Sequence, residues 1–486
     1  MAAQSSRDAA DASRASRTSR IDNVIIPSVH RSKRWNVEIK DGSPSSLVSS
    51  STCSSEPPSL LLPPLCHPHI HLDKPYILTS NRDSSNQHPG YLDLEPVSGQ
   101  FDEALENTAA AKARYTRHDL YLRGSQLIAE GYTRHGVTCM RAFVEVDHVV
   151  RFQTLEAAVR LKQDLGHLVD VQICVFAQDP IFSSEHGEEN RSLVVEALDR
   201  FEDAVEALGT TPYVEKNPEA STQNIEWAVD TAMARGLHLD FHLDYTLDKK
   251  SPSSVPKVLA YLRRRHWATR AQPGKTIVIG HCTHMTTSNG TLAEVAALLH
   301  QQPELPVHFV GLPTSDVYMM GRPGAQSCQL NGKQVSYKPY DRPRGTMQIP
   351  SMIRDFGLNG CLGVNNVGNA FTPYGDGDPM QLACWGTGLY QAGTAADAEI
   401  LYDCVSDRAR RAIGRRDVGG SVVADDGGVG DDIKKVPVPG LLVRNRKEIV
   451  MSGRDGKELR VPARWRLSVK DVVWDPPDSS LREVVG

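Results

Sequence analysis

From Leu61 onward, apolar runs of strand length alternate with longer stretches whose apolar residues recur three and four apart. The first pattern suits buried β-strands and the second amphipathic helices, so the order reads as repeated β-α units of a parallel sheet. Eight strands are predicted, over residues 61–71, 137–146, 169–177, 210–214, 237–243, 276–281, 306–312 and 361–364. Leu155, Ala158, Val159 and Lys162 share one helical face after the second strand. Ile225, Ala228, Val229 and Ala232 do so after the fourth, and Leu292, Val295 and Leu298 after the sixth. Eight such units predict an α/β fold of TIM type, a (β/α)8 barrel. An open doubly wound sheet is the alternative, but its G-x-G-x-x-G and P-loop signatures are missing. Gly274-Lys275-Thr276 imitates the end of a P-loop, yet a strand follows it instead of a helix.

The barrel is expected over residues 63–419. Residues 1–20 read as a disordered tail, and 21–62 with 420–486 as a small β-sandwich domain formed from both termini. Its short apolar pieces lie at 24–26, 35–39, 441–443 and 449–451, and nine serines between residues 41 and 60 mark a loop. The largest insertion into the barrel, residues 72–119, is expected to serve as a lid or substrate loop.

Composition narrows the partners. The 486 residues carry a net charge of −5, which argues against a general nucleic-acid or anionic-membrane binder. No apolar run approaches the ~18 residues of a spanning helix. Nine cysteines occur without a C-x-x-C, so buried free thiols in a reducing compartment are expected. Arg7, Arg14, Arg17 and Arg20 give the opening some character of a mitochondrial presequence, but Asp8 and Asp11 oppose it and no apolar signal core is present. A cytoplasmic location and a small-molecule substrate are therefore expected.

A TIM barrel does its chemistry at the carboxyl ends of its strands. Strand one ends in His69-Ile70-His71, whose two imidazoles project to the same side. His242 ends strand five and His281 strand six. Glu145, Gln178, Glu215, Asp244, Asn365 and Asn366 stand at other strand ends. Histidines converging from three separate strands suit one divalent metal ion, Zn or Fe, with His69, His71 and His242 as ligands and His281 beside them.

These residues resemble a known family. Pro68-His69-Ile70-His71-Leu72-Asp73 resembles the first-strand motif of cytosine deaminase-like proteins of the amidohydrolase superfamily, and the following Lys74 is similar to the ending found in triazine-degrading aminohydrolases. The stretch from His135 to Val146, Phe176-Ala177-Gln178-Asp179, His242-Leu243-Asp244 and His281 match later family positions. The resemblance implies a metal-dependent hydrolase acting on a non-peptide carbon–nitrogen bond of a small cyclic amide, amidine or N-heterocycle. It implies that Gln178 reads the substrate edge, that Asn365 occupies the position of a metal ligand and Asn366 that of a substrate contact, and that a homo-oligomer forms.

The chain departs from that family at decisive places. The family's fifth-strand proton shuttle, a Glu, is Tyr245, and two eighth-strand Asp positions are Asn365 and Asn366. A neutral amide cannot accept a proton, and tyrosine is a poor base at pH 7. Two readings remain. In one, a working hydrolase has rewired proton transfer, with Glu145, Asp244 or Glu215 as base, Glu145 preferred, and Tyr245 donating to the substrate. In the other, the barrel binds a metal or ligand with impaired turnover.

Overall fold

The computed structural model describes residues 18–50, 55–80, 90–322, 326–337, 345–425, 432–454 and 456–486. The chain divides into two compact units: Leu65–Asp417, and Met1–Pro64 with Val418–Gly486.

The first unit holds eight parallel strands hydrogen-bonded in chain order: Leu65–His71, Val137–Glu145, Asp170–Ala177, Val205–Thr210, His238–Leu243, Ile277–His281, Val307–Gly311 and Gly360–Leu362. The last returns to the first just beyond its end. There His71 N donates to Asn365 O (2.9 Å) and Asn365 N to His69 O (3.1 Å). This is the (β/α)8 barrel that the alternating pattern predicts.

Two expected strands are corrected. The fourth runs over Val205–Thr210, not 210–214. Pro212–Val214 is a 3-10 turn, because Pro212 has no N–H to give to a ladder. The expected first strand is interrupted at Pro63-Pro64, so Ser59–Leu62 and Leu65–His71 are separate strands of different sheets.

Local chemistry sets the helices between strands. In Pro218–Arg235, Asn217 Oδ1 caps Ala220 N at 2.8 Å, and Pro218 sits at the first turn, where no N–H is needed. Gly236 ends the helix at φ +63°, a left-handed conformation that costs glycine little. Ile225, Ala228, Val229 and Ala232 are its buried face, as their spacing predicts.

The barrel core is not purely apolar. Arg141 and Asp240 are both fully buried. Arg141 donates to Asp240 Oδ2 at 2.8 Å and to Gln172 Oε1 at 2.6 Å.

The second unit is one mixed sheet of eight strands from both ends of the chain. Val436 on its edge strand and Leu442, six strands away, belong to one core with Val24, Trp35, Val37 and Leu61. Strands spaced ~4.8 Å apart in a flat sheet would hold those two residues about 29 Å apart, so the sheet is rolled over its core. Leu442 pairs with Leu61, and Ser59–Leu62 pairs in turn with Val24 and Ile25. Residues 449–451 do not join this sheet; they form a separate hairpin, Glu448–Ser452 with Glu458–Pro462. The first 17 residues of the expected tail lie outside the described residues, whereas Thr18–Arg20 already belong to the first strand. Eight cysteines are described and none of them is in a disulfide; Cys53 lies outside the described residues. Among the described residues, no helix is long and apolar enough to cross a membrane.

Candidate active site

His69, His71, His242 and His281 meet at the carboxyl ends of strands one, five and six. His69 and His71 flank Ile70 and project inward together, while Ile70 makes the bridge that closes the barrel. His242 Nε2 lies 3.0 Å from His69 Nε2 and 3.4 Å from His71 Nε2. Buried ring nitrogens that meet chiefly one another cannot all be satisfied by one another's protons, and those of His69, His242 and His281 lie mutually within 4.8 Å. A tetrahedral ion with ligands at 2.0–2.1 Å holds its nitrogens about 3.3 Å apart, close to these separations. Burial, reinforced by neighbouring positive groups, pushes the imidazoles of His69, His71 and His242 well below their ordinary pKa. They are therefore neutral, as metal ligands must be.

Asn365 completes the set. Its Nδ2 donates to Ser315 Oγ at 2.9 Å, and its buried Oδ1 has no partner. An orphaned carbonyl oxygen beside three convergent imidazoles fits a divalent cation. His281 also offers a ring nitrogen within 4.8 Å of those of His69 and His242.

Each ring has a carboxylate or an aromatic wall behind it. His281 Nδ1 bonds Asp316 Oδ1 at 2.8 Å. His69 Nδ1 faces Asp240 Oδ1, and His71 Nδ1 faces Asp73 Oδ1, each at 4.0 Å. At 4.0 Å those two pairs are not hydrogen bonds, and among the described residues both Nδ1 atoms are without a hydrogen-bond partner. Of the three contacts, that of Asp316 is the one that fixes its ring, turning His281 Nε2 toward the centre. Phe143 lies beneath His69 with ring centroids 4.0 Å apart, and Phe176 beneath His242 at 4.4 Å. Gly280 leaves room for His69: a Cβ there would come within 3.3 Å of the imidazole. Three of the residues at this rim hold left-handed backbone, His281 at φ +64°, Cys282 at +40° and Asn365 at +66°. Such conformations in non-glycine residues cluster where a site needs side chains aimed unusually.

Above the histidines is a pocket with about 320 Å³ of empty space. Gln178, Tyr245, Asn365 and Asn366 line it, together with His71, His242 and His281. Tyr245 packs its ring on His281 at 4.1 Å, and its buried hydroxyl has no partner. Burial pushes that phenol well above its ordinary pKa, so it remains a donor.

Three expected catalytic or substrate-binding carboxylates are elsewhere. Glu145 does not line the pocket; it is ion-paired with Lys74 and, at 2.9 Å, with Lys112. Burial acts to raise its pKa, but the two ammonium groups prevail and hold it at about 2, too low for a base at neutral pH. Asp244 accepts from Ser253 Oγ (2.6 Å) and Ser254 N, fixing the loop after strand five. Glu215 accepts from the backbone N–H groups of Ile181, Phe182 and Ser183 and from Asn224. Both carboxylates do loop-ordering work, the ordinary task of a strand-end acid.

Sequence reasoning missed Lys74, Phe101, Tyr213 and Phe371 in the lining, and Asp316 behind His281. Phe101 opens a helix of the long insertion, so part of that insertion does wall the pocket; residues 81–89 of it lie outside the described residues. Lys74 had a signal, standing three residues beyond His71 in the quoted motif. Tyr213 stands at the end expected for strand four, and Asp316 opens a stretch that resembles a later family position; Phe101 and Phe371 had no signal short of the fold.

No protein-family model matches the chain. Among characterised proteins, the chain is 23% identical over 357 residues to N-isopropylammelide isopropyl amidohydrolase of Pseudomonas sp. (strain ADP), covering 73% of this chain and 75% of that protein. Its structure is similar to 5-methylcytosine deaminase from Klebsiella pneumoniae liganded with 5-fluorocytosine, with a TM-score of 0.67, 20% identity, and 88% and 91% of the two chains covered. It is also similar to N-isopropylammelide isopropylaminohydrolase from Burkholderia multivorans ATCC 17616, with a TM-score of 0.63, 18% identity, and 96% and 100% covered.

Proposed function

We propose that the chain is a member of the amidohydrolase superfamily, which it resembles in sequence and fold, and that it hydrolyses a carbon–nitrogen bond of a small N-heterocycle with one divalent ion, Zn or Fe, held by His69, His71, His242 and Asn365. The observation that carries this reading is the convergence of three neutral Nε2 atoms and an orphaned amide oxygen at the floor of a pocket. A divalent ion bound there supplies Lewis-acid activation of water at neutral pH.

The chain's own groups supply the rest. Asp316 accepts at Oδ2 from Thr346 Oγ1 (2.9 Å) and Leu312 N (3.3 Å), leaving Oδ1 for the His281 Nδ1–H. His281 Nε2 then presents a lone pair to the pocket and takes the proton that a carboxylate takes in the resembled family. Tyr245 donates to the substrate. Gln178 and Asn366 orient the ring, and Phe101 and Phe371 wall out bulk water.

A second reading, ligand binding with little turnover, is favoured by one observation: among the described residues no carboxylate lines the pocket. The test is metal content by elemental analysis, with ammonia and amine release measured over amino-pyrimidines, amino-triazines and cyclic amides. Release abolished by His242→Ala supports hydrolysis. A silent panel in which a ring compound still raises the melting temperature supports binding alone, and absence of stoichiometric metal overturns the hydrolase.

A further inference from the structure

The helix Phe101–Lys112 meets the pocket at one end and a buried charge cluster at the other. Phe101 lines the pocket and packs on Tyr245 and Phe371, with ring centroids 5.7 and 6.0 Å apart. Lys112 lies about 16 Å farther along the helix axis and is almost fully buried. Its Nζ meets three carboxylates: Glu145 at 2.9 Å, Asp147, and Asp179 at 3.2 Å. Glu145 ends strand two, and Asp179 directly follows Gln178 of the pocket lining. Lys74 pairs with Glu145, so among the described residues Lys112 is the cation that all three acids share. Little else fastens this helix to the barrel strands. Its buried positions before Lys112 are Ala104, Thr108 and Ala111, whose small side chains remove little apolar surface from water. Among the described residues, its other polar side-chain contacts stay within the insertion. Glu103 accepts from the N–H groups of Val97, Ser98 and Gly99, and Asn107 donates to Leu94 O at 3.0 Å.

From this arrangement we propose that Lys112 is a positioning residue of the pocket. It pins the helix that carries Phe101 into the pocket wall, and it fixes Asp179 and with it the direction of the neighbouring Gln178 amide. Without this ammonium, Lys74 alone would stand against three acids, of which Glu145 and Asp147 are almost fully buried. Buried charges left without a counter-charge are costly, and like charges there repel strongly. The helix end would then leave the cluster, and the wall and the ring-orienting amide would loosen together. Lys112 itself does not line the pocket, so its effect falls on binding more than on chemistry. The proposal rests on the hydrolase reading for the reaction it serves, but the attachment of the helix is measurable without turnover.

Backbone hydrogen exchange in the full-length protein separates the two. Lys112→Met should speed exchange across residues 101–112 by about tenfold or more. Strands two and three, Val137–Glu145 and Asp170–Ala177, should stay within about twofold of wild type. For a compound that the release panel shows to be turned over, KM should rise about tenfold with kcat within about threefold, the mark of binding lost equally from ground and transition states. Lys112→Arg returns a cation to the cluster and should bring exchange and KM back toward wild type. If Lys112→Met does not fold, Lys112→Met with Asp147→Asn and Asp179→Asn takes its place with the same expectations, since it leaves only the Lys74–Glu145 pair. Unchanged exchange over 101–112 overturns the proposal. So does exchange accelerated equally in the two strands, which is ordinary loss of stability, and so does a fall in kcat larger than the rise in KM. A silent panel removes the hydrolase and leaves exchange to decide this inference; turnover with unchanged exchange does the reverse.

Discussion

Asp316→Asn isolates the proton chemistry assigned to His281. The backbone N–H of Leu312 can only donate, and it bonds Asp316 Oδ2 together with the Thr346 hydroxyl. An asparagine in this buried place keeps its carbonyl oxygen on that side, so its NH2 must face His281 Nδ1 at 2.8 Å. The imidazole then accepts at Nδ1 and carries its proton on Nε2. The group facing the pocket changes from acceptor to donor with almost no change in shape. In a triad where an Asp holds a catalytic histidine, the same exchange lowers kcat by about 10⁴ through the wrong tautomer. We expect a loss of about 10³ to 10⁴ in kcat, or about 4–5 kcal/mol of transition-state stabilisation, with metal content intact. The assay is amine or ammonia release with elemental analysis of the same sample. A kcat within tenfold of wild type, with metal retained, would refute His281 as the base.

His69→Ala and His242→Ala should each lose the metal, as read by elemental analysis; retention in both means the ligands are elsewhere. Asp240→Asn leaves the fully buried Arg141 guanidinium without its counter-charge and should cost about 3–5 kcal/mol of unfolding free energy in urea, whereas Arg141→Met with Asp240→Leu should cost less. Glu145 has a folded pKa of about 2 against an ordinary 4.5. Its contribution, about 3 kcal/mol, is therefore fully present above pH ~4.5 and lost as pH falls toward 2. Glu145→Gln should flatten stability against pH in that window, and an unchanged acid-unfolding curve would show that the two lysines do not hold it.

The pattern of strand and helix periods, together with the histidines at strand ends, was enough for the barrel, the four imidazoles and the terminal sheet domain. Those features repeat every few residues or sit at fixed offsets from a strand end, so they survive in one dimension. Tyr245, Gln178 and Asn366 were legible for the same reason, each standing one or two residues past a strand. The carboxylates were not. Glu145, Asp244 and Glu215 are all strand-end acids in the sequence, and nothing local distinguishes a base from a loop anchor or the partner of a lysine. That difference depends on which donors reach each acid from elsewhere: Lys112 from a helix of the insertion, Ser253 from the loop after strand five, and the backbone at 181–183. The same holds for Asp316, whose role rests on a contact with His281 across 35 residues. Sequence determined which residues stand at the mouth of the barrel, because strand periodicity places them there. Tertiary structure alone decided which are free to act, because a buried charge takes its properties from the partners that folding brings to it.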